Sequence, residues 1–172
     1  MKGLPPVIFQ VAGYKNSGKT TWLKAMINYA SQLERVVCIK HHGHKEPLAQ
    51  DHGDTDSLQL YGSGAYAMSV TGAYETQIMI DRELSLPELI HWYSYLNPDL
   101  ILIEGFKNEN YPKVVLIKSE EDKGLLKLAN IKFIIVWDPA IALNVDVPVF
   151  DINFWQDHME TIYNYIIEEE RK

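Results

Sequence analysis

Gly13, Gly18, Lys19 and Thr20 fall at the spacing G-x-x-x-x-G-K-[ST] within VIFQVAGYKNSGKTTWL, residues 7–23. The chemistry open to such residues is the capture of phosphate. The two glycines let the backbone curl so that N–H groups of the cradle between them, Lys15, Asn16 and Ser17, point inward at phosphate oxygens. The helix that follows adds the positive end of its dipole. Lys19 is placed to reach the β- and γ-phosphates, and the Thr20 hydroxyl to ligate Mg²⁺. The mechanism requires a strand before the loop and a helix after it, and the residues on either side have those patterns.

A metal-bound triphosphate also calls for a carboxylate near the loop. DLILIEG, residues 99–105, offers Asp99 and Glu104. A buried parallel strand presents ligand-binding groups at its carboxyl end, and five residues at about 3.3 Å each set the two carboxylates roughly 16 Å apart. Glu104 is therefore the candidate for holding the metal or positioning a water. Asp99 belongs to the start of the strand, and Gly105 lets the backbone approach the phosphates. A third cluster runs from Lys40 to Ser57, KHHGHKEPLAQDHGDTDS, and follows a second strand onto the same edge. His41, His42, His44 and His52 with Asp51, Asp54 and Asp56 could bind Zn²⁺, Ni²⁺ or Mn²⁺, contact a γ-phosphate, Mg²⁺ or another anionic ligand, or form a solvated polar loop. Their spacing matches no closed structural zinc pattern.

The elements that position these residues alternate strand-length apolar runs with helical periods, which indicates an α/β fold. VIFQVAG is a first strand, and TTWLKAMINYASQL places Trp22, Met26, Tyr29, Ala30 and Leu33 on one helical face. RVVCIK is a second strand, with Cys38 expected inside. GDTDSLQLYGSG reads as a short helix, and YAMSVTGAYETQIMID as two strands about a Thr71-Gly72-Ala73 turn, an antiparallel hairpin that makes the sheet mixed. SLPELIHWYSYL opens with Ser85 and Glu88 at capping-box spacing and stops at Asn97-Pro98. DLILIEG, KVVLIK, KFIIVWDP and VPVFD supply further strands, with a short helix opened by Ser119 among them. The segment from residue 153 onward carries Trp155, Met159, Ile162 and Ile166 on one stripe.

At 172 residues and 47% apolar content the chain is long enough for one sizeable core, so a single domain over residues 1–172 is expected. A net charge of −7 opposes a general nucleic-acid binder. The apolar runs fall short of the roughly 20 residues that cross a bilayer, and the start lacks the pattern of a secretory signal. A cytoplasmic protein with neither nucleic acid nor membrane as partner is expected. One cysteine permits no internal disulfide and no C-x-x-C site.

GYKNSGKTT, KHHGH after the second strand, Asp51, Asp56 and Ser57 in a D-x-x-x-x-D-S pattern, Ser63 to Ala65 as SGA, and DLILIEGFK together resemble the MobB family of molybdopterin-guanine dinucleotide biosynthesis, in order along nearly the whole chain. The resemblance implies a P-loop NTPase three-layer sandwich with a mixed, mostly parallel sheet and an antiparallel hairpin. It further implies a homodimer that binds GTP and Mg²⁺, has weak intrinsic GTPase activity, and assists the MobA guanylyltransferase that joins GMP to molybdopterin. Carried onto this chain, the phosphate loop is Gly13 to Thr21, and Lys40, His41, His44, Asp56 and Glu104 line the nucleotide cleft. Here the histidine cluster reads H-H-G-H, with Gly43 displacing the second of the family's paired histidines, and HGDT replaces a frequent Pro-Gly between the two aspartates.

Guanine preference follows from the resemblance alone, since no N-K-x-D base reader is present. Asp138, just past a strand, is the nearest positional substitute, or else it opens an Asp-Pro turn. A small-molecule kinase would use the same loop, but Arg35, Arg82 and Arg171 lie in no plausible lid. A metal-insertion GTPase is weakened by the missing cysteine pair. The hairpin Tyr66 to Asp81 leaves a strand edge that a second copy could pair.

Overall fold

The computed structural model describes residues 4–43, 55–141 and 143–171. They divide into two compact units, Met1–Gly43 with Leu89–Lys172, and His44–Glu88.

The first unit is built on a six-stranded sheet of order β2-β5-β1-β6-β7-β8, comprising β1 (Val7–Ala12), β2 (Val36–Lys40), β5 (Leu100–Glu104), β6 (Lys113–Ile117), β7 (Ile131–Val136) and β8 (Val149–Asp151). Every neighbouring pair in it is parallel. Runs such as LILIE and KVVLI are apolar at consecutive positions because both faces of a central parallel strand are covered. On one face α1 (Lys19–Ala30) and α5 (Met159–Glu170) pack over Phe9, Leu102, Leu116 and Phe133. The rings of Phe9, Trp22 and Phe133 meet with centroids 5.7 to 6.5 Å apart, which fastens the first turns of α1 to β1 and β7. On the other face a 3₁₀ segment, Glu120–Lys127, and the side chains of Ile141, Leu143, Val145 and Val147 cover Ala12, Val115, Ile117, Ile134 and Val136.

The predicted stripe Trp155, Met159, Ile162 and Ile166 is buried, though His158 breaks the helix into α4 (Phe154–Asp157) and α5. Two expectations fail on burial. Leu33 is 60% exposed because α1 ends at Ala30, before the next turn that would have carried it inward. Cys38 is exposed rather than buried, because β2 is an edge strand, a position the local pattern does not encode.

The path from β5 to β6 skips over β1 in residues 105–112 with no helix, although such crossovers commonly need a dozen residues or more. It is short because β6 starts high: its first residue, Lys113, pairs with Gln10 in the middle of β1. Both side chains are fully buried and turned to the crossover backbone. Gln10 Nε2 donates to the carbonyls of Gly105 (2.5 Å) and Phe106 (2.7 Å). Lys113 Nζ donates to those of Glu109, Tyr111 and Ala129 at 2.6 to 3.0 Å. A buried ammonium is costly unless fully hydrogen-bonded, and these carbonyls supply that need while fixing the loop.

The second unit contains α2 (Thr55–Gly62) and the hairpin β3 (Ala67–Thr71) with β4 (Thr76–Ile80), paired antiparallel from Ala67 opposite Ile80 to Thr71 opposite Thr76. The turn is Gly72 to Glu75, closed by the Gly72 N–H on the Glu75 carbonyl. This antiparallel element is a two-stranded sheet of its own, so the large sheet is parallel throughout. The capping box at the start of α3 (Leu86–Ser94) is formed: Ser85 donates from its N–H and hydroxyl to Glu88 Oε2, and the Glu88 N–H faces Ser85 Oγ.

Candidate functional site

β1 ends at Ala12, and the chain turns through residues 13–18 into α1. Asn16 (φ 62°) and Gly18 (φ 92°) take left-handed backbone at alternate positions, which bends successive N–H groups toward one concavity. The N–H groups of Lys19, Thr20 and Thr21 open α1, and the first backbone bond there is from Trp22 to the Gly18 carbonyl. A Cβ at residue 13 would run into the Ser17 hydroxyl. That hydroxyl is buried and unpartnered among the described residues, a donor that an acceptor-rich group such as phosphate would satisfy. Lys15 and Thr21 are exposed on the loop and the first turn.

Lys19 Nζ donates to the Tyr14 carbonyl at 2.6 Å, reaching back across its own loop. Burial lowers the pKa of this amine, with Lys40 and Lys107 pushing the same way against the opposing pull of Glu104. An anion bound there would reverse that strain. Thr20 Oγ1 donates to Glu104 Oε2 at 3.1 Å, and Lys40 Nζ stands 3.5 Å from the same oxygen. Three elements, α1, β5 and β2, thus bring Thr20, Glu104 and Lys40 to one point. A hydroxyl beside a largely buried carboxylate is a suitable oxygen pair for Mg²⁺, so the residues fit the metal expected of a P-loop.

His41 follows Lys40, its N–H on the Glu104 carbonyl at 2.8 Å and its ring 4.5 Å from that of Phe106. Gly105 (φ 92°) allows this closeness, since a Cβ there would sit 2.9 Å from the His41 Cβ. His42 is exposed beside it. Lys107 Nζ lies 5.1 Å from the Tyr14 ring centroid, so it adds charge at the loop. In a chain of net charge −7, Lys15, Lys19, Lys40 and Lys107 make this edge locally basic.

Asp138 follows β7, and its Oδ1 accepts from the Ala140 N–H at 2.9 Å, which is the Asp-Pro turn geometry. Asp99 sits at the start of β5, accepting from the Arg35 N–H at 2.9 Å. Asp56 and Ser57 lie in the second unit, Asp56 exposed in the first turn of α2 and Ser57 buried. His44 and Asp51, with His52 and Asp54, lie outside the described residues. Among those described, no group of three or more His, Cys, Asp or Glu side chains could hold a metal. No described helix is long and apolar enough to cross a membrane.

Two contributors to the site escape local reading. Trp137 Nε1 donates to the Ser17 carbonyl at 2.9 Å, and the pair is separated by most of the chain. The Gln10 and Lys113 bonds hold the segment that carries Gly105 and Lys107. A polar residue inside an otherwise apolar strand, as in VIFQVA, was the available signal for Gln10.

Residues 8–137 match the family described as MobB, molybdopterin guanine dinucleotide synthesis protein B. A probable molybdopterin-guanine dinucleotide biosynthesis adapter protein of Bacillus subtilis is 42% identical over 134 residues, 76% of each chain. The crystal structure of a MobB homolog from Bacillus stearothermophilus superposes with a TM-score of 0.76 at 34% identity, covering 94% of this chain and 98% of that one. The structure of Bacillus subtilis MobB gives 0.77 at 36% identity, covering 90% and 96%. With a parallel sheet shared with these structures and a family match running from β1 to the end of β7, the chain belongs to the MobB family.

Proposed function

We propose that this protein is a GTP-binding adaptor in molybdopterin-guanine dinucleotide synthesis, assisting a MobA-type guanylyltransferase that acts on molybdopterin, and working as a homodimer with slow intrinsic hydrolysis. The observation that carries the reading is the meeting of Thr20, Glu104 and Lys40 beside the Gly13–Thr20 loop. The names of the relatives as biosynthesis adapter proteins support the pathway.

In this reading the loop N–H groups and Lys19 hold the phosphates, Lys40 adds charge at their far end, and Thr20 with Glu104 holds Mg²⁺. Bound there, the metal would neutralise charge on the phosphate oxygens. The arginines support slow hydrolysis. Arg35 is bound to Asp99, Arg171 to Glu34 and Arg82 to Glu88, so each arginine is already engaged with a carboxylate rather than free to stabilise charge in transfer. A partner would have to supply that cation. The dimer is supported by the hairpin, whose strands each pair on one side only among the described residues.

Calorimetric titration with GTP and ATP, followed by single-turnover hydrolysis with and without a molybdopterin guanylyltransferase, tests the proposal. Binding of GTP in preference to ATP is expected, with Lys19→Ala weakening it by about 100-fold through loss of a charged hydrogen bond to phosphate. Wild-type affinity in Lys19→Ala, or ATP preference with rapid turnover on a metabolite, would overturn it.

A further inference from the structure

We infer that the indole of Trp137, with Lys118 over it, is the seat of the ligand's purine base. The inference rests on the nucleotide reading above and adds to it the residue that recognises the base.

The sheet gives the bound nucleotide a direction. The groups suited to metal and terminal phosphate, Thr20, Glu104 and Lys40, gather on the β5 and β2 side of β1. The nucleoside end must then run the other way, past the carboxyl ends of β6 and β7. Lys118 and Trp137 are the residues immediately beyond those two ends, held side by side by the Trp137 N–H on the Ile117 carbonyl at 2.9 Å.

Trp137 is fixed and yet open. Its Nε1–H is tied to the Ser17 carbonyl, and a Cβ on Gly18 would lie 3.7 Å from its Cζ2, so the ring leans against the phosphate loop. It nevertheless keeps 40% of its surface exposed. A large apolar ring held in one orientation at a ligand edge is a stacking platform prepared in advance. Lys118 Nζ already lies 4.8 Å from the ring centroid, showing that the face is reachable by a cationic or π partner. At an exposed site that contact is weak, so a base can displace it. Asp138 does not compete as a reader with the oxygen that caps its own turn at Ala140. Stacking accepts any base with a broad π-face. Trp137 therefore favours a purine nucleotide over bare phosphate and contributes little to guanine over adenine.

The test is the ratio of affinities for GTP and inorganic tripolyphosphate, measured by calorimetry on wild type, Trp137→Leu and Trp137→Phe. Trp137→Leu should lose about tenfold in affinity for GTP relative to tripolyphosphate. Trp137→Phe, which keeps a ring and loses the bond to Ser17, should retain most of the GTP advantage. An equal loss for both ligands in Trp137→Leu would mean that the indole only buttresses the loop, and would overturn the inference while leaving the nucleotide reading intact. Wild type that binds tripolyphosphate as tightly as GTP would do the same. Wild type that binds neither would end both readings.

Discussion

The six-stranded sheet and the two-stranded hairpin use similar residues to opposite ends. In β5, β6 and β7 the isoleucines, leucines and valines are almost all inaccessible, closed in by helices on one face and by a 3₁₀ segment and loop on the other. In β3 and β4 no residue is buried, Ile78 is 49% exposed, and Tyr74 in the turn is fully exposed. A parallel sheet covered on both faces needs nothing further, whereas a two-stranded hairpin is marginal in water unless another surface covers it. The contrast is one of closure: the large sheet is covered on both faces, whereas among the described residues each strand of the hairpin pairs on one side only, the edge on which the proposed dimer rests.

The sharpest break of that contrast is energetic. Phe133→Ala, in the ring cluster under α1, should cost about 3–5 kcal/mol in urea unfolding. Ile78→Lys, at low protein concentration, should move stability by no more than about 0.5 kcal/mol. A hairpin variant as damaging as the core one would mean that the exposed strand is part of the core after all. The next effect concerns assembly. Light scattering at micromolar concentration should give twice the chain mass for wild type and a single mass for Ile78→Lys, since a charge on an open strand blocks edge pairing. A wild-type monomer would remove the dimer.

The smallest effect is a matter of pH. The Ser85 hydroxyl and N–H and the Arg82 guanidinium hold the Glu88 carboxyl down to about 2. Because this folded value lies below the ordinary 4.5, the cap's contribution is whole above that pH and is lost as pH falls toward 2. The protection of the first-turn amides of α3, measured from the exchange rate relative to the intrinsic rate at each pH, should fall through that window in wild type and stay level in Glu88→Gln.

What the sequence disclosed was local. The glycine and lysine spacing, the apolar run ending in Glu104, the Ser85–Glu88 cap and the C-terminal stripe each need only a few neighbouring residues to be recognised: the first marks the turn from β1 into α1, the second ends beside Thr20, the cap is formed, and the stripe is buried across α4 and α5. The misses concern strand order and distant contact. Nothing within RVVCIK reveals that β2 is an edge and that Cys38 is exposed. Nothing near the hairpin shows that it forms a two-stranded sheet of its own, and Trp137 is recognisable as part of the site only once β7 is set two strands from β1. Lys113 opens a strand, where a lysine ordinarily marks solvent, and only the crossover above it makes it internal.

That lysine has a consequence for measuring motion in the protein. Its amine is sealed beneath the carbonyls of Glu109, Tyr111 and Ala129, and burial lowers its proton affinity. An acylating or reductively methylating reagent can reach it only when the crossover lifts. The rate at which Lys113 is labelled, set beside the prompt labelling of exposed amines such as Lys118, would act as an internal clock for the opening of the segment that carries Gly105 and Lys107.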